Sequence, residues 1–245
     1  MHMIDLPLDS AALMRFAWRQ GHAGSRSQID EDRGYAAHAW LAAALGEYMP
    51  RPFRLMETRN GLRLLGYGAT DVATLVQHAR DFALPDTLAV CDWSAAADKE
   101  MPTGWTAGRR LGFEVRVCPV IRGERERDLY LVEVDQAKAE SREPASRAEV
   151  YVRWLECQLE REGAAHPVAA TVNLIGFRRV RTMRRSRAGQ SPRRQVVERP
   201  DALITGELLV GDPDRFGRLL TRGIGRHRAF GFGMLLLRPP MTGAA

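Results

Sequence analysis

The chain has 245 residues, of which 45% are hydrophobic and 27% charged. At ~150 residues per domain that is one large domain or two small ones, with material for a real core. No apolar run approaches the ~20 residues of a membrane helix, and Met1 to Ser10 carries Asp5 and Asp9 in place of a basic-then-apolar leader. Three widely spaced cysteines (Cys91, Cys118, Cys157) offer neither a disulfide framework nor a CxxC zinc site and fit a reducing cytoplasm. The net charge of +6 hides a strong asymmetry. Nine arginines and one acid, Glu198, lie between Arg178 and Arg199, so that segment is +8 and the rest of the chain −2.

In chain order, residues 3–8 read as a short edge strand, because Pro7 would be costly in a central one. Asp9 or Ser10 caps a helix to about Gln20. After a Gly/Ser-rich loop from His22 to Gln28, Asp30 opens a second helix to about Leu45, stopped by Gly46, Pro50 and Pro52. Strands at 52–57 and 61–67 flank Asn60-Gly61, the strongest short hairpin signal. Asp71 to Phe82 is an amphipathic helix and Thr87 to Asp92 a strand. The order β-α-β-β-α-β is ferredoxin-like.

A second pass of the same order follows the loop from Ser94 to Ala107. Leu111 to Ile121 alternates as a strand. Glu124 to Ser146 reads as charged loop with one short strand at Leu129 to Val134. Ser146 caps a helix from Arg147 to Arg161, with Val150, Trp154, Cys157 and Leu159 near helical spacing, and Gly163 ends it. Val168 to Arg181 and Val196 to Val210 are strands joined by the arginine-dense loop. Asp212-Pro213 opens a short helix to Thr221, and Gly231 to Arg238 is the last strand. The expected fold class is α+β, two tandem ferredoxin-like domains over 1–93 and 108–240.

Three features can carry chemistry. The run from Gly223 to Gly233 (GIGRHRAFGFG) has four glycines between a helix and a strand, with Arg226 and Arg228 beside them. Gly223 and Gly225 allow close approach of backbone to a phosphate; a tight turn with two solvated arginines explains the pattern equally well. The arm at Arg178, Arg179, Arg181, Arg184, Arg185, Arg187, Arg193 and Arg194 reads as a protruding hairpin. Charge of one sign so concentrated is costly by self-repulsion unless a polyanion neutralises it, which favours nucleic acid over a solvated loop. Tyr35 and His38 share a face of the second helix. A histidine exchanges protons near neutrality, although a lone one is more often a packing residue. No HExxH, carboxylate cluster, Cys/His group, GxSxG or P-loop points to a metal or a cofactor.

Taken together, GIGRHRAFGFG before a strand ending LLLRPP, the helix RAEVYVRWLECQLEREG, and Tyr35-Ala-Ala-His38 resemble the CRISPR repeat-processing endoribonucleases of the CasE branch. The resemblance spans nearly the whole chain. It implies two tandem ferredoxin-like domains that grip the repeat hairpin of precursor crRNA and cut at its 3′ base without metal, by attack of a 2′-hydroxyl on the adjacent phosphate. His38 would move the proton and Tyr35 would assist at the sugar or phosphate. The implied partners are that hairpin and the other subunits of a Cascade-like complex, with a cytoplasmic monomer outside it. One departure is Ala43, where some members place a lysine; Arg33 or Arg228 would have to supply a cation.

Overall fold

The structure, a computed structural model, describes residues 1–20, 33–123, 125–185 and 194–240, with backbone alone at 181–185 and 194–197. The chain divides into two compact units. The first holds Met1–Thr103, the described parts of Arg181–Glu198, and His227–Met234; the second holds Gly104–Val180, Arg199–Arg226 and the C-terminal strand.

In the first unit the elements run β1 (His2–Leu8), α1 (Ser10–Arg19), α2 (Arg33–Leu45), β2 (Phe53–Thr58), β3 (Gly61–Gly68), α3 (Val72–Phe82), α4 (Pro85–Leu88) and β4 (Ala97–Glu100). Their antiparallel sheet has the order β2-β3-β1-β4, which is the split β-α-β arrangement of a ferredoxin-like domain. Alternation places Ile4, Leu6 and Leu8 of β1 on the helix-facing side, where they meet Leu13 and Phe16 of α1 and Trp40, Leu41 and Leu45 of α2. The buried indole N–H of Trp40 donates to the Thr87 carbonyl at 2.9 Å.

Two expectations fail in this unit. β1 is central rather than an edge, and it tolerates Pro7 because β4 pairs only His2–Asp5 and ends before the proline. Thr87 to Asp92 is not a strand. Pro85 sits in the first turn of α4, as its fixed φ and missing N–H favour, and the segment keeps one bridge, Leu8 to Cys91. The fourth strand is instead the polar β4. Asn60-Gly61 makes the expected hairpin, with Gly61 at φ +107°, while the expected start of the second helix at Asp30 lies outside the described residues.

The second unit runs β5 (Arg110–Val117), β6 (Val120–Arg122), β7 (Glu126–Asp128), α5 (Leu129–Ala139), α6 (Arg147–Glu160), β8 (Ala165–Pro167), β9 (Asn173–Arg185), β10 (Arg194–Val210), α7 (Pro213–Arg222) and β11 (Leu235–Arg238). The sheet order β11-β5-β10-β8, with β9 also on β10, repeats the order of the first unit. Phe113, Val115 and Val117 of β5 and Ile204 and Leu208 of β10 are buried, as are Leu155 of α6 and Phe216, Leu219 and Leu220 of α7.

Here too the sequence reading needs correction. Leu129 to Val134 is helical, because the Asp128 carboxylate accepts from the Tyr130 N–H at 2.9 Å and caps α5; such a cap is worth ~0.5–2 kcal/mol. The strand expected over Leu111 to Ile121 breaks at Pro119. On α6 the buried stripe is Tyr151, Leu155 and Leu159, spaced four apart, whereas Cys157 is exposed. The last strand begins at Leu235 rather than Gly231.

Candidate functional site

The catalytic candidates sit at the N-terminal end of α2. Tyr35 and His38 both turn to Phe230, which lies in a short 3-10 turn, Arg228–Phe230, of the same unit. Tyr35 stacks on Phe230 with ring centres 5.8 Å apart, and His38 meets it edge-on at 5.4 Å. The approach is close because residue 34 is glycine: a Cβ there would lie 2.2 Å from the Phe230 carbonyl oxygen. The turn is held by left-handed backbone at His227 (φ +60°) and Gly231 (φ +84°).

His38 is half-buried, and its Nδ1 is fully buried with no hydrogen-bond partner among the described residues. Its pKa is held below the usual 6.5, chiefly by burial and secondarily by the positive charge of Arg51. The imidazole is therefore neutral at physiological pH and able to accept a proton. Arg51 is exposed, and its Nη2 donates to the sulfur of Met49, two residues earlier, at 2.7 Å. Of the cations expected to replace the absent lysine, Arg33 forms an ion pair with Glu57, and Arg228 sits in the Phe230 turn with interactions of its own. Sequence reasoning missed both Phe230 and Arg51. An aromatic residue beside a glycine in AFGFG was the available signal for the first; nothing local marks the second.

The glycine turn begins in the second unit. Gly223 ends α7 at φ +72°, and Gly225 has φ +71°. A Cβ on Gly225 would come within 2.9 Å of the Trp154 ring, so the turn is packed as well as bent. Arg226 donates through Nε to Glu126 Oε1 at 2.7 Å, and Arg199 reaches Glu126 Oε2 at 3.4 Å.

The basic arm is less uniform than its sequence. Arg178 donates through Nε to Asp201 Oδ2 at 2.6 Å, and Arg116 makes two bonds to the same carboxylate at 2.7 and 2.8 Å. Burial works to raise the Asp201 pKa, but these two guanidinium groups outweigh it and hold it below the ordinary range. Arg179 is exposed on β9. Arg181, Arg184 and Arg185 lie on β9, and Arg194 opens β10; Arg187 and Arg193 lie outside the described residues. Among the described residues no group of three or more His, Cys, Asp or Glu side chains could hold a metal ion. No helix there is long and apolar enough to cross a membrane.

A family profile described as "CRISPR associated protein" matches residues 1–239. Among solved structures, one of the CRISPR endoribonuclease Cse3 bound to a 19-nucleotide RNA is 21% identical, with a TM-score of 0.63 over 98% of this chain and 100% of that one. Cse3 of Thermus thermophilus, bound to an RNA representing a pre-cleavage complex, is 20% identical, with a TM-score of 0.59 over 97% and 98%. The CRISPR-associated protein Cas6e of Escherichia coli K-12 is 14% identical, with a TM-score of 0.51 over 98% and 100%. At these identities the likeness fixes the fold, tandem ferredoxin-like domains. No curated protein matches the chain.

Proposed function

The chain belongs to the CRISPR-associated protein family, and on that premise we propose that it is an endoribonuclease that binds the repeat hairpin of precursor CRISPR RNA, cuts it at the 3′ base and stays bound as a subunit of a Cascade-like complex. One observation carries the reading. A neutral, half-buried imidazole and a phenol share the first turns of one helix, and both are docked on the turn that continues a glycine-rich, arginine-bearing loop.

The chemistry follows from the groups present. His38 takes the proton of the 2′-hydroxyl through Nε2, since Nδ1 is buried. The O2′–P bond forms as the P–O5′ bond breaks, leaving a 2′,3′-cyclic phosphate, and the imidazolium returns the proton to the departing O5′. Proton transfer by a positioned side chain is worth ~10²–10⁴ in rate. Tyr35 donates its hydroxyl to the sugar or scissile phosphate, and Arg51 supplies the cation that stabilises the added charge. Gly223, whose own N–H caps α7 at the Leu219 carbonyl, and Gly225 let the backbone of the turn approach the RNA closely, with Arg226 and Arg228 flanking them. Arg179, Arg181, Arg184, Arg185, Arg187, Arg193 and Arg194 contact phosphates along the hairpin. Arg178, held by Asp201, contributes less.

The test is a single-turnover incubation with the repeat RNA in EDTA, comparing wild type, His38→Ala, and an RNA carrying a 2′-deoxy sugar at the cleavage site. Cleavage by wild type alone, on the unmodified RNA alone, with a cyclic phosphate product, is expected. Tight hairpin binding with no cut would instead identify a non-catalytic RNA-binding subunit. Equal cutting by His38→Ala would transfer the proton step to another residue.

A further inference from the structure

The second unit contains a basic cavity that plays no part in the reaction above. Phe216, Leu219 and Leu220 bury one face of α7, while Arg215, Arg218 and Arg222, spaced three and four apart, occupy the exposed face. With Arg161 from the turn after α6 they surround a cavity of about 310 Å³ floored in part by Leu219. Glu162 is the sole acid lining it, so the lining carries a net charge of +3. Glu162 pairs with Arg222 at 3.4 Å, and its main-chain carbonyl accepts from Arg215. Arg161 and Arg218 have no acidic partner among the described residues.

The cavity wall is built rather than incidental. Glu162 and Gly163 both adopt left-handed backbone, at φ +63° and +69°. The Gly163 carbonyl lies 2.2 Å from where a Cβ on Gly211 would stand and accepts from the Asp212 N–H at 2.9 Å. This fastens the Arg161 turn to the start of α7. Guanidinium groups that converge without counter-charges repel one another, and their planar forks match phosphate oxygens. The volume lies at the small end of the ligand-pocket range, ~300–1,000 Å³, as a single nucleotide requires. An acidic protein surface fits less well, because it would need roughly 800 Å² of interface rather than one small concavity.

We propose that this cavity binds the phosphate of a nucleotide, with Arg161 and Arg218 as its direct ligands and Glu162 orienting Arg222. The site goes beyond the endoribonuclease reading and requires nothing of His38. The phosphate belongs either to an RNA strand outside the hairpin or to a free nucleotide.

Anisotropy with a labelled single-stranded RNA decamer, titrated across salt concentrations, distinguishes these sources when run beside thermal melting in AMP. The full chain is compared with the Arg161→Ala/Arg218→Ala variant and with Arg59→Ala/Arg80→Ala, which removes the same charge from exposed positions of the first unit. Each single-strand phosphate contact contributes about 0.7 to the slope of log affinity against log salt. Because both arginines serve one phosphate, the cavity variant should lose about 0.7 in slope with the decamer while the control variant keeps it. A free-nucleotide site would show instead as an AMP-dependent rise in melting temperature that the cavity variant abolishes. The proposal is overturned if the cavity variant matches wild type in both assays, as it would if an acidic protein were the ligand. It is also overturned if the control variant loses as much as the cavity variant.

Discussion

Gly34→Ala tests the docking of α2 on the Phe230 turn, and there local and tertiary physics point in opposite directions. In an isolated helix the exchange stabilises by up to ~1 kcal/mol. In this fold the new Cβ would lie 2.2 Å from the Phe230 carbonyl oxygen, whereas carbon and oxygen in contact stand ~3.3 Å or more apart. The helix or the turn must therefore yield by about 1 Å. Overpacking of this kind costs ~1–3 kcal/mol, so the net loss is up to about 2 kcal/mol, which a domain of ordinary stability survives folded. The geometry pays instead: a displacement of ~1 Å at a reacting group can cost ~10²-fold in rate. Single-turnover cleavage at saturating protein should fall about that far, while hairpin affinity by anisotropy changes little. Phe230→Ala should not rescue the rate, because the obstructing oxygen belongs to the main chain. A Gly34→Ala protein cutting within about threefold of wild type would refute the argument that this close approach sets the geometry of Tyr35 and His38, since a 1 Å shift at a reacting group is expected to cost far more.

Arg51→Met removes the smaller of the two influences that lower the His38 pKa, so the acidic limb of the cleavage pH profile should move up toward, and not beyond, 6.5; an unmoved limb would remove Arg51 from the site. Because the folded-state pKa of His38 is depressed, its unfolded form binds protons first as pH falls, and stability should decline below about 6.5. His38→Gln should flatten that part of the melting-temperature profile. Gly225→Ala meets both a left-handed φ and the Trp154 ring, and should destabilise by at least ~1 kcal/mol in denaturant unfolding. Trp154→Leu should relieve only part of this loss. Burial pushes the Cys91 and Cys118 thiols up to about 12, so an alkylating agent at pH 8 should modify Cys157 quickly and the other two only on unfolding, as read by mass spectrometry.

Elements with strong local signals were legible in the sequence. Asn60-Gly61, the Ser146 N-cap and the Pro213 start of α7 each appear where their chemistry places them. The misses share a physical cause. At residues 129–134 the β-branched and aromatic content reads as strand, yet a single carboxylate, Asp128, accepts the Tyr130 N–H and caps a helix there. β4 has no apolar alternation and exists only because β1 offers it an edge. The pair Tyr35 and His38 could be read from helical spacing, whereas Phe230 and Arg51 reach the same place through tertiary folding that no local pattern encodes.

The arginines make the limit of sequence reading sharpest. Density along the chain marks where phosphate could bind, but the acids that silence individual arginines come from distant strands. Asp201 is 6% exposed and takes bonds from Arg116 and Arg178 at once. Removing either partner would leave a buried charge with half its compensation, which is far costlier than losing an exposed pair. Arg178 is thereby committed to the fold although it opens the densest basic run. Arg226 differs in degree, because its partner Glu126, which also holds Arg199, is 14% exposed against 6% for Asp201. A phosphate arriving at the glycine turn can take the Arg226 fork while Glu126 keeps a cation. The exchange then strands no charge, so Arg226 can turn to RNA at less cost to the fold than Arg178, whose partner is the more deeply buried acid.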